Sequence, residues 1–384
     1  MKVAIVIRFP KDPCAPHGGV ESVSINLVAA LARFPDLELH VVTTDPGCPE
    51  PSETIWNGVP VHRLAWTGWR MLTHVTGEGR RQMQRYLAEL APDVIHAHDV
   101  HGLMVKGMQV PRVFTVHGFI YADTLLHPRT PRIRSWLWKR VETAGWADQP
   151  HIISISPYVR ERLAGFTQAV IHDIDNPISE RFFDIDRDEQ PGRILCAAGI
   201  SRRKNQLGLL RAFQRLVEQG ADAQLRLAGG VNEEAYFQAA KDFVAHTGLG
   251  QRVVFLGKLP YEAVREELRR AAVFTMVSLE ENSPMAIEEA MAAGVPVVTS
   301  NRCGMPYMVR DGESGFLVDP NDAEDVAARL GDVLSDPARR AEMGQRSREI
   351  ARDRFHPARI ASLTREVYLR AVRDFRRVHN RAAL

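Results

Sequence analysis

The chain of 384 residues contains few cysteines and no long apolar run. Its four cysteines, Cys14, Cys48, Cys196 and Cys303, lie far apart and form no Cys-x-x-Cys pair, which argues against a disulfide framework or a zinc ribbon. A reducing, cytoplasmic setting fits this pattern best. The apolar stretch at residues 3–7 is too short for a signal peptide, and no run of about 18 apolar residues occurs. No membrane-spanning segment is therefore expected.

A large charge excess is also missing. Lys and Arg total 49 against 47 for Asp and Glu, and charged residues make up 25% of the chain, so neither disorder nor a polycation is indicated. Nucleic acid is not a predicted partner. A hydrophobic content of 45% is enough for a core in each of two domains, the number that this length favours at roughly 100–200 residues per domain.

Short β-branched runs alternate with amphipathic, helix-length segments along the whole chain, which is typical of α/β folds with parallel sheets. A polar, acid-rich stretch at 177–191 interrupts the alternation and reads as a linker. We therefore predict two Rossmann-like, doubly wound domains, at 1–180 and 181–356, and a final helix within 357–384 that packs back on the first domain. Because ligands bind outside the carboxyl ends of parallel strands, we expect the site in a cleft between the two domains.

One helix start carries the strongest functional signal. Ser283 is a good N-cap residue and Pro284 suits the first helical position, with Met285 and Ala286 in the first turn. Gly294 sits where that helix would end before the next strand. Exposed backbone amides in the first turn, together with the helix dipole, predict an anion site that suits a phosphate group.

Two glutamates flank this predicted anion site. Glu281 precedes the helix, and Glu289 lies about a turn and a half inside it. One carboxylate could reach a sugar while the other accepts hydrogen bonds from ribose hydroxyls. A solvated helix face rich in glutamate is an equally good explanation, and the spacing alone leaves both interpretations open.

The pattern of Glu281, seven further residues and then EAMAAGVPVV resembles the signature of the retaining glycosyltransferases of family 4, which have the GT-B fold. Other motifs similar to those of the family occur in the same order, so the resemblance covers nearly the whole chain. These motifs are GGVE at 18–21, PDVIHAHD at 92–99, TVHG at 115–118, IS at 155–156, NP at 176–177, ISRRKN at 200–205 and DGESGFLV at 311–318.

The resemblance implies transfer of a sugar from a nucleotide-diphosphate sugar to an acceptor hydroxyl of a glycan or lipid-linked glycan. It implies retention without a protein nucleophile and without a metal or other cofactor, in cell-surface polysaccharide biosynthesis. A nucleotide-sugar epimerase of the same architecture is the main alternative. A nucleotide-sugar-binding protein without catalysis is a third interpretation.

The resemblance also implies roles for individual residues. Glu289 would hold the ribose, and Glu281 would contact or position the donor sugar. Lys204 would pair with the donor diphosphate and stabilise the leaving group, an electrostatic effect worth roughly 3–4 kcal/mol. His117 would hydrogen-bond the transferred sugar. The backbone at residues 18 and 19, Gly18 and Gly19, would approach the diphosphate where a side chain would clash.

Two positions depart from the family pattern. Where the family usually has Gly-Arg before its lysine loop, this chain has Ala198 and Gly199. Arg202 or Arg203 could replace the missing charge, because a guanidinium suits phosphate; we include Arg203 among the predicted donor-binding residues. The loop that ends in Tyr307 usually ends in Glu, which places any role for that residue in doubt.

Several histidines follow predicted strands. His98 and Asp99 are candidates for the acceptor side of the site, and His98 is also compatible with simple packing. His96, His98, His101 and His117 invite a metal interpretation, but too few carboxylates accompany them, so no metal site is predicted.

The region 129–140 is basic and contains no acidic residue. Interleaved tryptophans make it compatible with an anionic membrane surface or a lipid-diphosphate acceptor, and hence with a peripheral location at the inner face of the membrane. A solvated helix whose tryptophans pack inward is the alternative. The basic residues are Arg129, Arg132, Arg134, Lys139 and Arg140.

Overall fold

The computed structural model describes residues 1–46, 48–67, 70–125 and 131–382. The chain divides into two compact units: unit 1 comprises Met1–Pro177 with Pro357–Leu384, and unit 2 comprises Ile178–His356. The first boundary thus lies at Pro177 rather than at residue 180. Independent folding of the predicted domains stays a prediction. Within the described residues, no helix is both long enough and apolar enough to cross a membrane.

Unit 1 is built on an eight-stranded sheet of order β3-β4-β2-β1-β5-β6-β7-β8. All neighbouring strands are parallel except the β3–β4 pair at one edge. The strands are β1 (Lys2–Val6), β2 (Glu38–Thr44), β3 (Ser52–Trp56), β4 (Val59–Leu64), β5 (Val94–His98), β6 (Arg112–Val116), β7 (His151–Ser154) and β8 (Val170–Asp173).

The final helix of the chain packs on unit 1, as predicted. Its residues Ile360 and Tyr368 share a buried core with Val3, Ile5 and Leu27. This arrangement explains why the C-terminal segment belongs to the first unit. The helices of unit 1 are α1 (Gly19–Leu31), α2 (Met71–Thr76), α3 (Glu78–Leu90), α4 (His101–Met104), α5 (Ile120–Leu125), α6 (Pro131–Ala147), α7 (Pro157–Leu163) and α14 (Pro357–Ala382).

Unit 2 contains a six-stranded, fully parallel sheet of order β11-β10-β9-β12-β13-β14. Its strands are β9 (Arg193–Ala197), β10 (Gln224–Ala228), β11 (Val253–Gly257), β12 (Val273–Met276), β13 (Val297–Ser300) and β14 (Gly315–Val318). Its α-helices are α8 (Gln206–Glu218), α9 (Glu234–His246), α10 (Tyr261–Arg270), α11 (Met285–Ala292), α12 (Ala323–Ser335) and α13 (Pro337–Phe355). Short 3-10 helices occur at Glu180–Phe182, Arg202–Lys204, Leu249–Gln251 and Met305–Tyr307.

Both sheets are doubly wound, which confirms the predicted α/β class. The central strands are almost entirely buried and rich in Val and Ile, because helices cover both faces of a parallel sheet. Strand order reverses between β1 and β5 in unit 1 and between β9 and β12 in unit 2. Ligands of such sheets bind beyond the carboxyl ends of the strands at these reversal points. The loops after these four strands are therefore the expected ligand-binding regions of the two units.

Candidate active site

The loop after β9 is fixed to the end of β12 at the reversal point of unit 2. Asn205 ends the 3-10 helix in a left-handed conformation (φ 56°), and its Nδ2 donates to the carbonyl oxygens of Val277 (3.2 Å) and Pro320 (2.8 Å). The Leu279 amide donates to the Arg203 carbonyl oxygen at 2.8 Å. These bonds hold the basic 3-10 helix against the loop that carries Glu281.

Lys204, Arg203 and Glu281 form one ion-paired group there. Glu281 Oε1 lies 2.5 Å from Lys204 Nζ and 3.1 Å from Arg203 Nη1. Burial alone would raise the pKa of Glu281, but the Lys204 ammonium and the Arg203 guanidinium outweigh burial and lower the pKa. The carboxylate is therefore ionised at neutral pH and keeps two cations side by side.

The structure separates Arg202 from Arg203. The Arg202 side chain is 63% exposed, and its Nε lies 3.6 Å from Glu233 Oε2. Arg203 also donates to the Glu280 carbonyl oxygen at 3.0 Å, which holds its guanidinium beside Glu281. At Gly199, where the family arginine is missing, a Cβ atom would meet the Asn232 amide group. Arg203 is thus the arginine that accompanies Lys204.

The predicted helix cap at Ser283 is wrong by one residue. Helix α11 begins at Met285 with Pro284 as its N-cap, so Ala286 remains in the first turn. The Ser283 hydroxyl instead donates to Glu288 Oε1 at 2.6 Å, because that buried carboxylate takes the hydroxyl away from the helix amides.

The end of α11 agrees with the prediction. Gly294 follows the helix in a left-handed conformation (φ 74°), and its amide donates to the Met291 carbonyl oxygen at 2.9 Å. The short loop then leads into β13.

Glu289 occupies a different electrostatic environment from Glu281. Its side chain is half-buried in the second turn of α11, and burial raises its pKa to about 8. Burial raises the pKa of the Tyr261 phenol, and the nearby Glu289 carboxyl group adds a smaller effect in the same direction. Glu289 and Tyr261 are therefore neighbours. Two glutamates eight positions apart are therefore set for different protonation states.

The loop after β13 contributes a contact that the sequence analysis missed. Cys303 adopts a left-handed conformation (φ 56°), and its Sγ donates to Glu280 Oε2 at 3.1 Å. The Gly304 amide donates to the Glu281 carbonyl oxygen at 2.8 Å, and a Cβ atom at Gly304 would overlap the backbone of Asn282. The only sequence signal for this packing is the glycine itself.

Tyr307 lies in the next turn. Its side chain is exposed, and its carbonyl oxygen accepts a hydrogen bond from Arg354 Nη1 at 2.5 Å.

In unit 1, His98 and His117 lie together at the carboxyl ends of β5 and β6. His98 Nδ1 is 2.9 Å from His117 Nε2. His98 is fully buried, and its Nε2 has no hydrogen-bond partner among the described residues. His98 is therefore placed to orient His117, and its contact with an acceptor stays a prediction.

Asp99 shapes the turn that carries His117. It adopts a left-handed conformation (φ 46°), and its Oδ1 accepts hydrogen bonds from the amides of His117 (2.7 Å) and Gly118 (3.3 Å). Burial raises the pKa of Asp99, against the opposing effects of His117 and these amides.

Burial keeps this group of histidines neutral. It lowers the pKa of His96 to about 3 and of His101 to about 4, and it lowers that of His98 far below its usual value, with help from neighbouring histidines. Burial also lowers the pKa of His117, although Asp99 and a hydrogen bond to the Asn176 amide act in the opposite direction. His96 links the group to α14, because its Nδ1 lies 2.7 Å from the Tyr368 hydroxyl.

The glycine pair after β1 has an open side. Gly18 has a φ of 115°, a conformation that side chains disfavour, and a Cβ atom there would meet no heavy atom within 4 Å. Gly19 begins α1. Glu21, one turn later, accepts a hydrogen bond from the His17 amide at 2.6 Å, and its Oε1 forms an ion pair with Arg8 Nε at 2.9 Å. These contacts hold the loop between β1 and α1 in place. The Gly18 backbone is therefore reachable by a ligand.

Within the ranges that the structure describes, no group of three or more His, Cys, Asp or Glu side chains is placed to hold a metal ion. Metal independence stays a prediction.

Comparison with known proteins defines the class. Sucrose-phosphate synthase from Thermosynechococcus elongatus shares the fold, with a TM-score of 0.80 and 22% identity over 96% of this chain and 98% of that one. The fold is therefore the GT-B fold. Residues 17–181 match the model of Glycosyltransferase Family 4, and residues 177–350 match that of Glycosyl transferases group 1. The chain belongs to glycosyltransferase family 4.

Two characterised relatives come from Mycolicibacterium smegmatis. GDP-mannose-dependent alpha-(1-6)-phosphatidylinositol monomannoside mannosyltransferase is 32% identical over 44% of this chain, and the match spans 47% of that relative's length. Alpha-maltose-1-phosphate synthase is 25% identical over 96% of this chain and 99% of its own. Both names are those of sugar transfer enzymes, which does not favour the epimerase alternative.

Proposed function

We propose that this protein is a retaining, metal-independent glycosyltransferase that moves a sugar from a nucleotide-diphosphate sugar to an acceptor hydroxyl. The observation that carries the proposal is the group of Arg203, Lys204 and Glu281 at the strand reversal of unit 2, beside the start of α11. Two fixed cations next to a helix N-terminus suit a diphosphate. Family membership supports the same reaction.

The two cations would stabilise the leaving group. As the glycosidic bond breaks, negative charge grows on the nucleoside diphosphate, and the Lys204 ammonium and the Arg203 guanidinium would offset it without moving. Glu281 would keep these side chains in place and contribute to the binding of the donor sugar. Glu289 would accept hydrogen bonds from the ribose hydroxyls. Pro284, Met285 and Ala286 would present the helix start to the phosphates.

The ion pairs of Glu281 support a reaction in which this carboxylate is not a nucleophile, and family membership supports retention. A carboxylate that attacks a sugar carbon needs an available negative charge, and both cations lie against the same oxygen of Glu281. The acceptor hydroxyl would attack from the side of the departing phosphate, which would take up its proton. The same cations support metal independence, because they supply the positive charge that a divalent ion would otherwise provide.

Unit 1 would hold the acceptor and part of the donor. The backbone at Gly18 and Gly19 would approach the diphosphate, and His117 would contact the transferred sugar, with His98 and Asp99 fixing the orientation and backbone of His117. We propose a glycan or lipid-linked glycan as acceptor, in cell-surface polysaccharide biosynthesis. The match to a mannosyltransferase whose name includes a phosphatidylinositol glycolipid supports a lipid-linked acceptor.

We also place the protein at the inner face of the membrane as a peripheral protein. The basic segment at 129–140 supports this location through its described residues, whereas Arg129 lies outside them.

A single reaction assay tests the proposed chemistry. The donor is incubated with a simple glycoside acceptor in EDTA, and NMR follows the anomeric configuration of the product. We expect product with the configuration of the donor. Inverted configuration would refute retention, loss of turnover in EDTA would refute metal independence, and isomerisation of the donor without acceptor would favour the epimerase.

A further inference from the structure

One face of helix α6 exposes large apolar side chains to solvent. Ile133 is 77% exposed, Trp136 59% and Leu137 42%. Positions spaced by three and four residues share one side of a helix, so these three side chains form a continuous stripe that ends at Arg140. Contiguous apolar side chains that are rimmed by polar residues on a protein surface are a feature of interaction sites.

The opposite face of α6 is anchored in unit 1. Trp138 and Trp146 are buried, and the Ser135 hydroxyl donates to the Tyr121 carbonyl oxygen at 2.7 Å. Glu142, the only acidic residue of the helix, is buried and accepts hydrogen bonds from the amides of Ile120 (2.9 Å) and Tyr121 (3.0 Å). Trp136 is thus exposed, whereas Trp138 packs inward.

Cations without carboxylate partners flank the exposed stripe. Arg132, Arg134 and Arg140 are exposed, and none of them pairs with an acidic side chain of the described residues. The guanidinium of Arg140 lies over the Trp136 ring, 5.0 Å from its centroid. On helix α3, by contrast, Arg81 and Arg85 both pair with Glu78. The exposed arginines therefore give this face of α6 a positive charge.

We infer that this face of α6 binds an anionic phospholipid bilayer. The face combines an apolar stripe containing a tryptophan, which suits the depth of the lipid headgroups, with arginines that reach phosphates on either side of it. The inference rests on the proposed peripheral location and identifies the surface and the lipid class. Ile133, Trp136 and Leu137 enter the interface, while Arg132, Arg134 and Arg140 contact headgroups.

Flotation with liposomes tests this surface without any substrate. Full-length protein is mixed with vesicles of phosphatidylcholine alone, or with about one third phosphatidylglycerol, at low and high salt. We expect flotation only with the anionic vesicles and a decrease at high salt. Arg132→Glu with Arg134→Glu should reduce the bound fraction about tenfold, and Ile133→Ser with Trp136→Ser should reduce it comparably.

Matched variants separate this face from general effects. Arg376→Glu with Arg377→Glu makes the same charge change on exposed positions of α14, and Ile55→Ser removes another exposed apolar side chain of unit 1. Both should float like the unchanged protein. Three results would overturn the inference: equal losses in the control variants, flotation with zwitterionic vesicles at any salt, or no flotation at low salt. The third result would favour a protein partner for this face.

A thermal shift with nucleoside diphosphates accompanies each variant. Because the substituted side chains are exposed, melting temperature and nucleotide response should be unchanged. A protein that floats but shows no nucleotide response would contradict the proposed function alone. A nucleotide response without flotation would contradict the α6 surface and the peripheral location, and would leave the proposed reaction unaffected.

Discussion

Two cations share one buried carboxylate in unit 2, and this arrangement makes the individual side chains testable. Glu281 determines where the charges of Lys204 and Arg203 lie before a donor arrives. Arg202, the residue before Arg203, lies beside Glu233 instead. Neighbouring basic residues should therefore have very different effects on the reaction.

Lys204→Ala should lower kcat by about two to three orders of magnitude, the usual effect of losing one well-placed charge at a developing anion. Arg202→Ala is the matched control and should leave kcat within about threefold, because an exposed ion pair contributes little. Steady-state kinetics on both variants provide the measurement. A larger loss in the Arg202 variant than in the Lys204 variant would contradict the assignment.

Glu289 should make donor binding depend on pH. Burial raises its pKa to about 8, so the carboxylate that we propose to accept ribose hydrogen bonds is a minority form at pH 7 and predominates at pH 9. Donor affinity should therefore increase as pH rises through about 8. Titration calorimetry measures this change. Glu289→Gln should bind donor weakly at every pH, and a pH dependence that persists in this variant would assign the titration to another group.

At the scale of elements, the donor loops of unit 2 depend on close backbone packing. The 303–304 turn lies against residues 280–282, and a methyl group at Gly304 would overlap the Asn282 backbone. Gly304→Ala should destabilise unit 2 by about 1–3 kcal/mol, as overpacking does, and weaken donor binding. Denaturant unfolding measures the first effect.

Gly250→Ala is the matched control for this change. Gly250 lies in the 3-10 helix Leu249–Gln251, where a Cβ atom meets nothing within 4 Å. Unfolding free energy and donor affinity should both stay close to those of the unchanged protein. If the two variants behave alike, packing at Gly304 does not support the loop.

Periodicity in the sequence was sufficient to predict two sheets of mainly parallel strands, because buried parallel strands and amphipathic helices have distinct residue patterns. It also predicted the α11 segment, where Glu281 and Gly294 lie close to their expected places. It could not predict that the Ser283 hydroxyl bonds Glu288 instead of capping the helix. That choice depends on burial of Glu288, which only the folded chain defines.

The paired contacts were equally hidden from the sequence. His98 and His117 are 19 positions apart, and their 2.9 Å contact arises because β5 and β6 are neighbouring strands. The sequence also could not show which of Arg202 and Arg203 lies beside Glu281. The two side chains have different partners because they project from different sides of the 3-10 helix. For the same reason, the sequence could not show that Trp136 of α6 is exposed while Trp138 is buried. The orientation of this helix depends on its packing in unit 1, which includes the hydrogen bond from Ser135 to Tyr121.

At the scale of the whole molecule, the buried histidines should make stability fall in acid. His96 and His101 have folded pKa values of about 3 and 4, below the ordinary value of 6.5, so the unfolded chain binds more protons at mildly acidic pH. Their stabilisation is complete above about pH 6.5 and is lost as pH falls toward 4. Unfolding midpoints in urea should drop between pH 7 and pH 5.

His96→Gln is the informative variant. It removes one group with a depressed pKa while keeping hydrogen-bonding capacity toward Thr115 and Tyr368. The slope of stability against pH should become shallower in this variant. An unchanged slope would mean that other groups control the acid response.

We propose above all that unit 2 binds a nucleotide-diphosphate sugar at a site that includes Lys204 and Glu289. The most direct measurement is a thermal-shift panel of nucleoside diphosphates and nucleotide sugars in EDTA, repeated on Glu289→Ala, because a bound ligand raises the melting temperature by mass action. We predict stabilisation by one nucleotide family, lost or greatly reduced in the variant. The absence of a shift with every nucleotide, or an equal shift in the variant, would contradict the account.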